Sequence, residues 1–330
     1  TPVSPPRSSA MSERRTGLAT AENTSIVACP VVTGWPHAAH CSGARRSAAT
    51  AKRSASIGAI VFAAAGVLVT GLVLGRSTFD VRRAAVFSNS MLGLLTNKES
   101  SLSALASSVT GKAPLSDLRI EEFRHPKVVI KPDFRLETEL DYGLVGYFTG
   151  KIVKDSCVAF DSIPEKQITI KMKSLSAAIG TSGSCGMFTL GEKAKEVISY
   201  GKKECNIIKD ELNTSEEGDL IALGSPQLGM NELNLLGNLL EGKKFTKRCL
   251  IYCARAIHKQ ATQIGLTGRI ERAGGEFICD SCTCLTPLIT RDEVDSVITN
   301  SIKGAYYLNH SNRIGVALKD LMTIVKEYTN

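Results

Sequence analysis

The chain has 330 residues, 43% of them hydrophobic and 22% charged, with a formal net charge of +8. That length suits one large domain or two smaller ones and excludes a small stapled scaffold. The basic excess does not read as a nucleic-acid surface, because neither interleaved aromatics nor a cationic helical stripe accompanies it. Ten cysteines without scaffold-like spacing read as reduced thiols, and hence as a cytoplasmic protein.

Residues 1–56 are rich in Ala, Ser, Thr, Pro and Arg and lack periodicity, so they read as a disordered tail. Ile57 to Gly75 then form an uncharged apolar run between Arg53 and Arg76. At about 1.5 Å of rise per residue, the run is roughly long enough to cross a hydrocarbon core. A buried helix rich in Ala and Gly is the other reading. Arg45, Arg46, Lys52 and Arg53 on one flank balance Arg76, Arg82 and Arg83 on the other, so the charge rule gives no orientation. The expectation is that the run is not an anchor.

From Ala84 onward Lys replaces Arg and carboxylates balance it. Asn97, Lys98 and Glu99 form a polar cluster before a predicted helix, LSALASSVTG. Such a cluster either holds an anionic oxygen at the helix start or caps the helix. A helical KMKSLSAAIG leads into the Gly/Ser loop GTSGSCGMF, with Ser182 and Ser184. Its backbone N–H groups can cradle a carboxylate or phosphate, or simply make a tight turn.

The last third repeats one phrase. DLIAL runs into GSPQLG and a helical MNELNLLGNLLEG, RCLIYC into ARAIHKQATQIG, EFICD into SCTCLTP, and DSVITN into SIKGAYYL. Short apolar, β-branched runs alternating with amphipathic helical stretches predict an α/β fold, a mostly parallel sheet with flanking helices. Ligands of such sheets sit beyond the carboxyl ends of the strands. Cys253, Cys282, Ser301 and Lys303 fall there, with Ser301 and Lys303 as anion-binding candidates. Cys157, Cys205 and Cys249 sit in apolar or helical context and read as structural. The Cys279–Cys282 spacing alone also suits zinc, but no second pair lies at finger-like spacing.

In order, NSMLGLLTNKES, YGLVGYFTGK, LSAAIGTSGSCGMF, GSPQLGMNEL, IYCARA, ERAGGEFICDSC and TNSIKGAYYL resemble the aconitase X family over Ala84 to Tyr328. The resemblance implies one catalytic domain over 84–330. It also implies an iron–sulfur hydro-lyase that dehydrates a 3-hydroxy acid, with (R)-5-phosphomevalonate as the expected substrate; the alternatives are the cis-3-hydroxyproline branch and a degenerate, non-catalytic, membrane-tethered relative. Three cysteines would hold a 4Fe-4S cluster and leave one iron open to substrate. Cys253 in IYCARA and Cys282 in CDSC match two of them, while Cys279 and Cys284 are extra. The third lies upstream in the family, where this chain has the Arg-rich tail with Cys29 and Cys41 in a different context. Leu94–Leu95 stand where the family usually has Ala–Arg. The resemblance also implies a small swivelling β-rich domain, fused or a separate subunit, that contributes a catalytic Ser; a partner subunit is therefore expected.

Overall fold

The computed structural model describes residues 26–28, 81–164, 170–284 and 286–330. The apolar run Ile57–Gly75 lies outside them, and no helix among the described residues is long and apolar enough to cross a membrane. Ile26–Ala28 (β1), inside the stretch read as a disordered tail, pair antiparallel with Lys112–Pro114 (β2).

Two wholly parallel sheets follow. Val128–Pro132 (β3), Val158–Phe160 (β4), Phe188–Leu190 (β5) and Glu196–Tyr200 (β6) form the first, in the order β5-β4-β3-β6. Leu220–Leu228 (β7), Cys249–Cys253 (β8), Gly275–Cys279 (β9), Ser296–Thr299 (β10) and Gly315–Leu318 (β11) form the second, in the order β11-β10-β7-β8-β9. The four repeated phrases are β7 to β10. β7, β8 and β10 feed helices at Met230–Leu239, Arg255–Gln263 and Ile302–Tyr307, whereas β9 feeds the loop that carries Cys282 and Cys284. The fully buried burial pattern of β8 is that of a central parallel strand, covered on both faces.

Two helices join the sheets. In Glu139–Val153, Leu140, Leu144 and Tyr147 pack into one core with Leu220, Ala222, Leu250 and Tyr252 of the second sheet. Its opposite face, with Tyr142, Val145 and Val153, packs into another core with Val128, Ile130, Val158 and Phe160 of the first sheet. A helix gripped on both faces has no use for a polar side, which accounts for its nearly continuous apolar sequence. Its start is fixed by a capping box: Asp141 N–H donates to Thr138 Oγ1 at 3.2 Å, and Thr138 N–H donates to Asp141 Oδ2 at 2.8 Å.

The second helix of the layer, Ile170–Ser182, packs closely against the first. A Cβ at Gly146 would lie 2.7 Å from the Leu175 carbonyl oxygen, so glycine is what lets the two backbones approach. A third core lies on the far side of the second sheet. There Ile221, Leu223 and Ile251 meet Leu233, Leu236, Ile270 and Ile324 from helices Met230–Leu239, Leu266–Arg272 and Leu321–Glu327.

Candidate active site

A cleft open to solvent lies at the seam between the helix layer and the second sheet. Gly224, Ser225, Pro226 and Leu228 from the end of β7 form one wall, and Asn300–Lys303 from the end of β10 form another. Ile170, Lys173, Ser174 and Ala177 close it from the helix layer, with Glu139 and Glu232 at its sides. Its position beyond the carboxyl ends of parallel strands is the one expected from the repeated phrases.

Most polar groups here are already engaged. Glu139 Oε1 accepts from Leu321 N at 2.7 Å and from Asn300 Nδ2 at 3.1 Å. Glu232 caps its own helix, accepting from Gly229 N at 2.7 Å, and pairs with Lys173 Nζ at 2.5 Å. Lys173 Nζ also donates to the Gln227 carbonyl at 2.5 Å. Ser301 behaves as a helix cap: its Oγ accepts from Gly304 N at 2.8 Å and its hydroxyl donates to the Ser225 carbonyl. Lys303 is different. It is half-buried, lines the cleft, and among the described residues its ammonium makes no ion pair or hydrogen bond.

The thiols gather beside this cleft. Cys253 ends β8 and is paired in register with Cys279 at the end of β9. Burial, followed by the neighbouring Cys279 thiol, pushes the Cys253 thiol up to about 12. It is therefore protonated at neutral pH, and metal binding there must release a proton. Cys284 Sγ lies 3.4 Å from Ser225 Oγ on the cleft wall. Gln227 Nε2 donates to the Ser281 carbonyl at 2.8 Å, fastening the half-buried Cys282 and its loop to the end of β7. Asp280, in a left-handed turn, accepts from Arg255 N at 2.9 Å and pairs with Arg255 Nε at 2.9 Å. Soft thiol donors at strand ends suit an iron–sulfur group. Their number is short of the expected set: no three His, Cys, Asp or Glu side chains converge in metal-binding fashion among the described residues. A third donor would have to come from outside them.

The remaining sequence candidates form a second, separate place. Lys98 Nζ donates to the Gly180 carbonyl at 3.3 Å and to the Gly183 carbonyl, latching onto the end of helix Ile170–Ser182. Glu99 pairs with Arg119 at 2.5 Å and accepts from Ser103 Oγ at 2.9 Å. Asn97 donates to Ser116 Oγ at 3.2 Å. Ser182 Oγ donates back to the Ala178 carbonyl at 3.0 Å, and the Ser184 side chain is exposed. Ser182 lies nine residues beyond Lys173 on one helix, roughly 14 Å along its axis. The structure thus brings Ser301, Lys303, Cys282 and Cys253 to one end of the second sheet and leaves the Asn97–Glu99 and Ser182–Ser184 groups at the far end of the helix layer. Sequence reasoning missed Lys173, Glu139, Glu232 and Ser225. Glu232 stands three residues after Gly229, which signals a cap but nothing about a cleft.

Comparison with known proteins fits this architecture. Residues 126–217 match the family model "Aconitase X second domain", and residues 218–330 match "Aconitase X third domain". This chain belongs to the aconitase X family. The boundary falls just before β7, so each parallel sheet is one family domain. The phosphomevalonate dehydratase large subunit of Methanocaldococcus jannaschii is 33% identical over 74% of this chain and 65% of its own length. The cis-3-hydroxy-L-proline dehydratase of Hypocrea jecorina is 30% identical over 68% of this chain and 42% of its own. A crystal structure of Thermococcus kodakaraensis aconitase X in its holo-form superposes with a TM-score of 0.69 at 28% identity, covering 75% of this chain and 66% of that one. The chain spans slightly under two thirds of the length of its phosphomevalonate dehydratase relative.

Proposed function

We propose that this chain is the large-subunit part of a hydro-lyase that removes water from a hydroxy acid, with 5-phosphomevalonate as the substrate. The observation that carries the reading is Lys303: a half-buried ammonium in the strand-end cleft with no anion of its own among the described residues. A cation left unpaired there is costly unless a ligand supplies the counter-charge. In this reading Lys303 binds the substrate carboxylate or phosphate, and Asn300, held by Glu139, offers its free carbonyl side to a substrate hydroxyl. Cys253 and Cys282 hold an iron–sulfur cluster with a third donor from outside the described residues. When bound, that cluster supplies a Lewis-acidic iron for the departing hydroxyl. The relatives named as large subunits support a small-subunit partner that completes the site. Cysteines that form no disulfide among the described residues suit a reducing compartment.

The test is anaerobic reconstitution of the full chain with iron, sulfide and a small subunit, then incubation with 5-phosphomevalonate or cis-3-hydroxyproline. Loss of one water, read by mass spectrometry, is expected from phosphomevalonate and not from hydroxyproline; the opposite preference would move the chain to the other branch. That no third donor joins the two cysteines among the described residues favours a second reading, a non-catalytic relative kept for interaction. A reconstituted chain that binds no iron and dehydrates neither compound would establish it.

A further inference from the structure

We infer that Gln227, itself anchored by Lys173, is a positioning residue that clamps the cysteine-bearing loop after β9 onto the cleft wall. The geometry is a continuous relay. Lys173 Nζ reaches from the helix layer to the Gln227 carbonyl at 2.5 Å, and Glu232 holds the same ammonium at 2.5 Å. The Gln227 side chain then spans from β7 to the Ser281 carbonyl at 2.8 Å, one residue before Cys282. β7 and β9 are not neighbours in the sheet, since β8 lies between them. No strand ladder therefore ties this loop to β7. The Gln227 side chain makes the tie, in a stretch where the β7–β8 register shifts between Leu223 and Leu228. That irregularity leaves the Gln227 carbonyl outside the β7–β8 register pairs and available to Lys173, while the side chain serves Ser281.

The loop itself is long, and its described residues between Asp280 and Val294 form no helix or strand. Further anchors flank Cys282 on either side, among them the Asp280 pair with Arg255, the Asp280 N–H donating to the Cys253 carbonyl at 3.0 Å, and the contact between Cys284 and Ser225. Gln227 holds the intervening peptide. The same relay connects the cleft-lining Lys173 to the thiol loop, so the two halves of the site share one mechanical support.

This inference rests on the proposed ligand role of Cys282 only for its second readout. The first readout is the rate at which iodoacetamide modifies Cys282 in the cluster-free full chain, measured by peptide mass spectrometry under reducing conditions. The half-buried Cys205, on the distant helix Lys202–Leu212, serves as internal reference. Gln227→Met keeps the length and removes the donor. It is expected to raise the Cys282 rate about fivefold relative to Cys205, the change one lost hydrogen bond brings to a local opening equilibrium. Lys173→Met is expected to act in the same direction, and Lys173→Arg to restore the native rate. The second readout is the loss of iron–sulfur absorbance in air after reconstitution, expected to be faster in Gln227→Met. An unchanged Cys282 rate in folded Gln227→Met overturns the inference; should that variant not fold, an unchanged rate in Lys173→Met overturns it instead. Cys282→Ser separates the two proposals: full cluster absorbance in that variant removes Cys282 as a ligand and leaves the alkylation result standing.

Discussion

The strand-end cleft and the Lys98 latch carry the same kinds of residue, yet the structure uses them oppositely. Both place a lysine near a helix terminus beside serines and glycines. At the latch, Lys98 is committed to the Gly180 and Gly183 carbonyls, acceptors at the end of helix Ile170–Ser182. A cation at a helix C-terminus satisfies carbonyls that would otherwise lack partners. At the cleft, Lys303 faces open volume with no partner among the described residues. The lesson is about accounting: a basic residue in a polar loop is a binding candidate only when its hydrogen bonds are not already committed.

The largest way to break that comparison is at the cleft wall. Gly224 has φ of +117° and its Cβ position is occupied by the Tyr252 carbonyl. Gly224→Ala combines backbone strain with overlap against backbone, and we expect about 3 kcal/mol or more of lost stability. Denaturant unfolding reads it; a loss below about 1 kcal/mol would mean that the end of β7 adapts freely.

Next is the latch. Lys98→Met removes a charged donor from two carbonyls and is expected to cost about 2 kcal/mol, with no effect on ligand affinity once the protein is folded. An intact unfolding midpoint accompanied by weakened binding would move the latch into the site. Lys303→Ala should show the reverse. Stability is expected to stay within about 0.5 kcal/mol, while affinity for an anionic substrate, measured by calorimetry, falls about tenfold. Equal losses of melting temperature and affinity would make Lys303 structural.

The smallest effect at neutral pH belongs to Cys185, in the loop beneath the latch. Burial pushes this thiol up to about 12, and its Sγ donates to the Met187 carbonyl at 3.1 Å. The unfolded thiol loses its proton near 8.5, so its contribution is fully present below that pH. It is lost progressively as pH rises towards about 12. Stability measured from pH 8 to 11 should therefore fall less steeply in Cys185→Ala than in the native chain. Identical slopes would remove this thiol from the pH dependence.

Particular elements show what was readable in advance. β7, β8, β9 and β10 were legible because each is a short apolar run between turn signals. β11, in IGVALK, and all four strands of the first sheet went unread. VAF and FTL are three residues long, too short for periodicity to register. The division of residues 126–330 into two sheets was equally invisible, because the helix Glu139–Val153 looks the same whether it serves one core or two.

The sequence by itself determined the family, the parallel α/β character and the strand-end position of Cys253, Cys282, Ser301 and Lys303. Those follow from local pattern and motif order, which a chain carries wherever it folds. Only the tertiary structure decided which polar groups are free. Ser301 became a cap, Lys98 a latch and Glu99 the partner of Arg119, while Lys303, on the cleft wall, has no ion pair or hydrogen bond among the described residues. Apart from the local cap bond to Gly304, the partners of Glu99, Ser301 and Lys98 lie on different elements, 20, 76 and 85 residues away along the chain. A hydrogen bond between such residues exists only once the cores have placed their elements side by side.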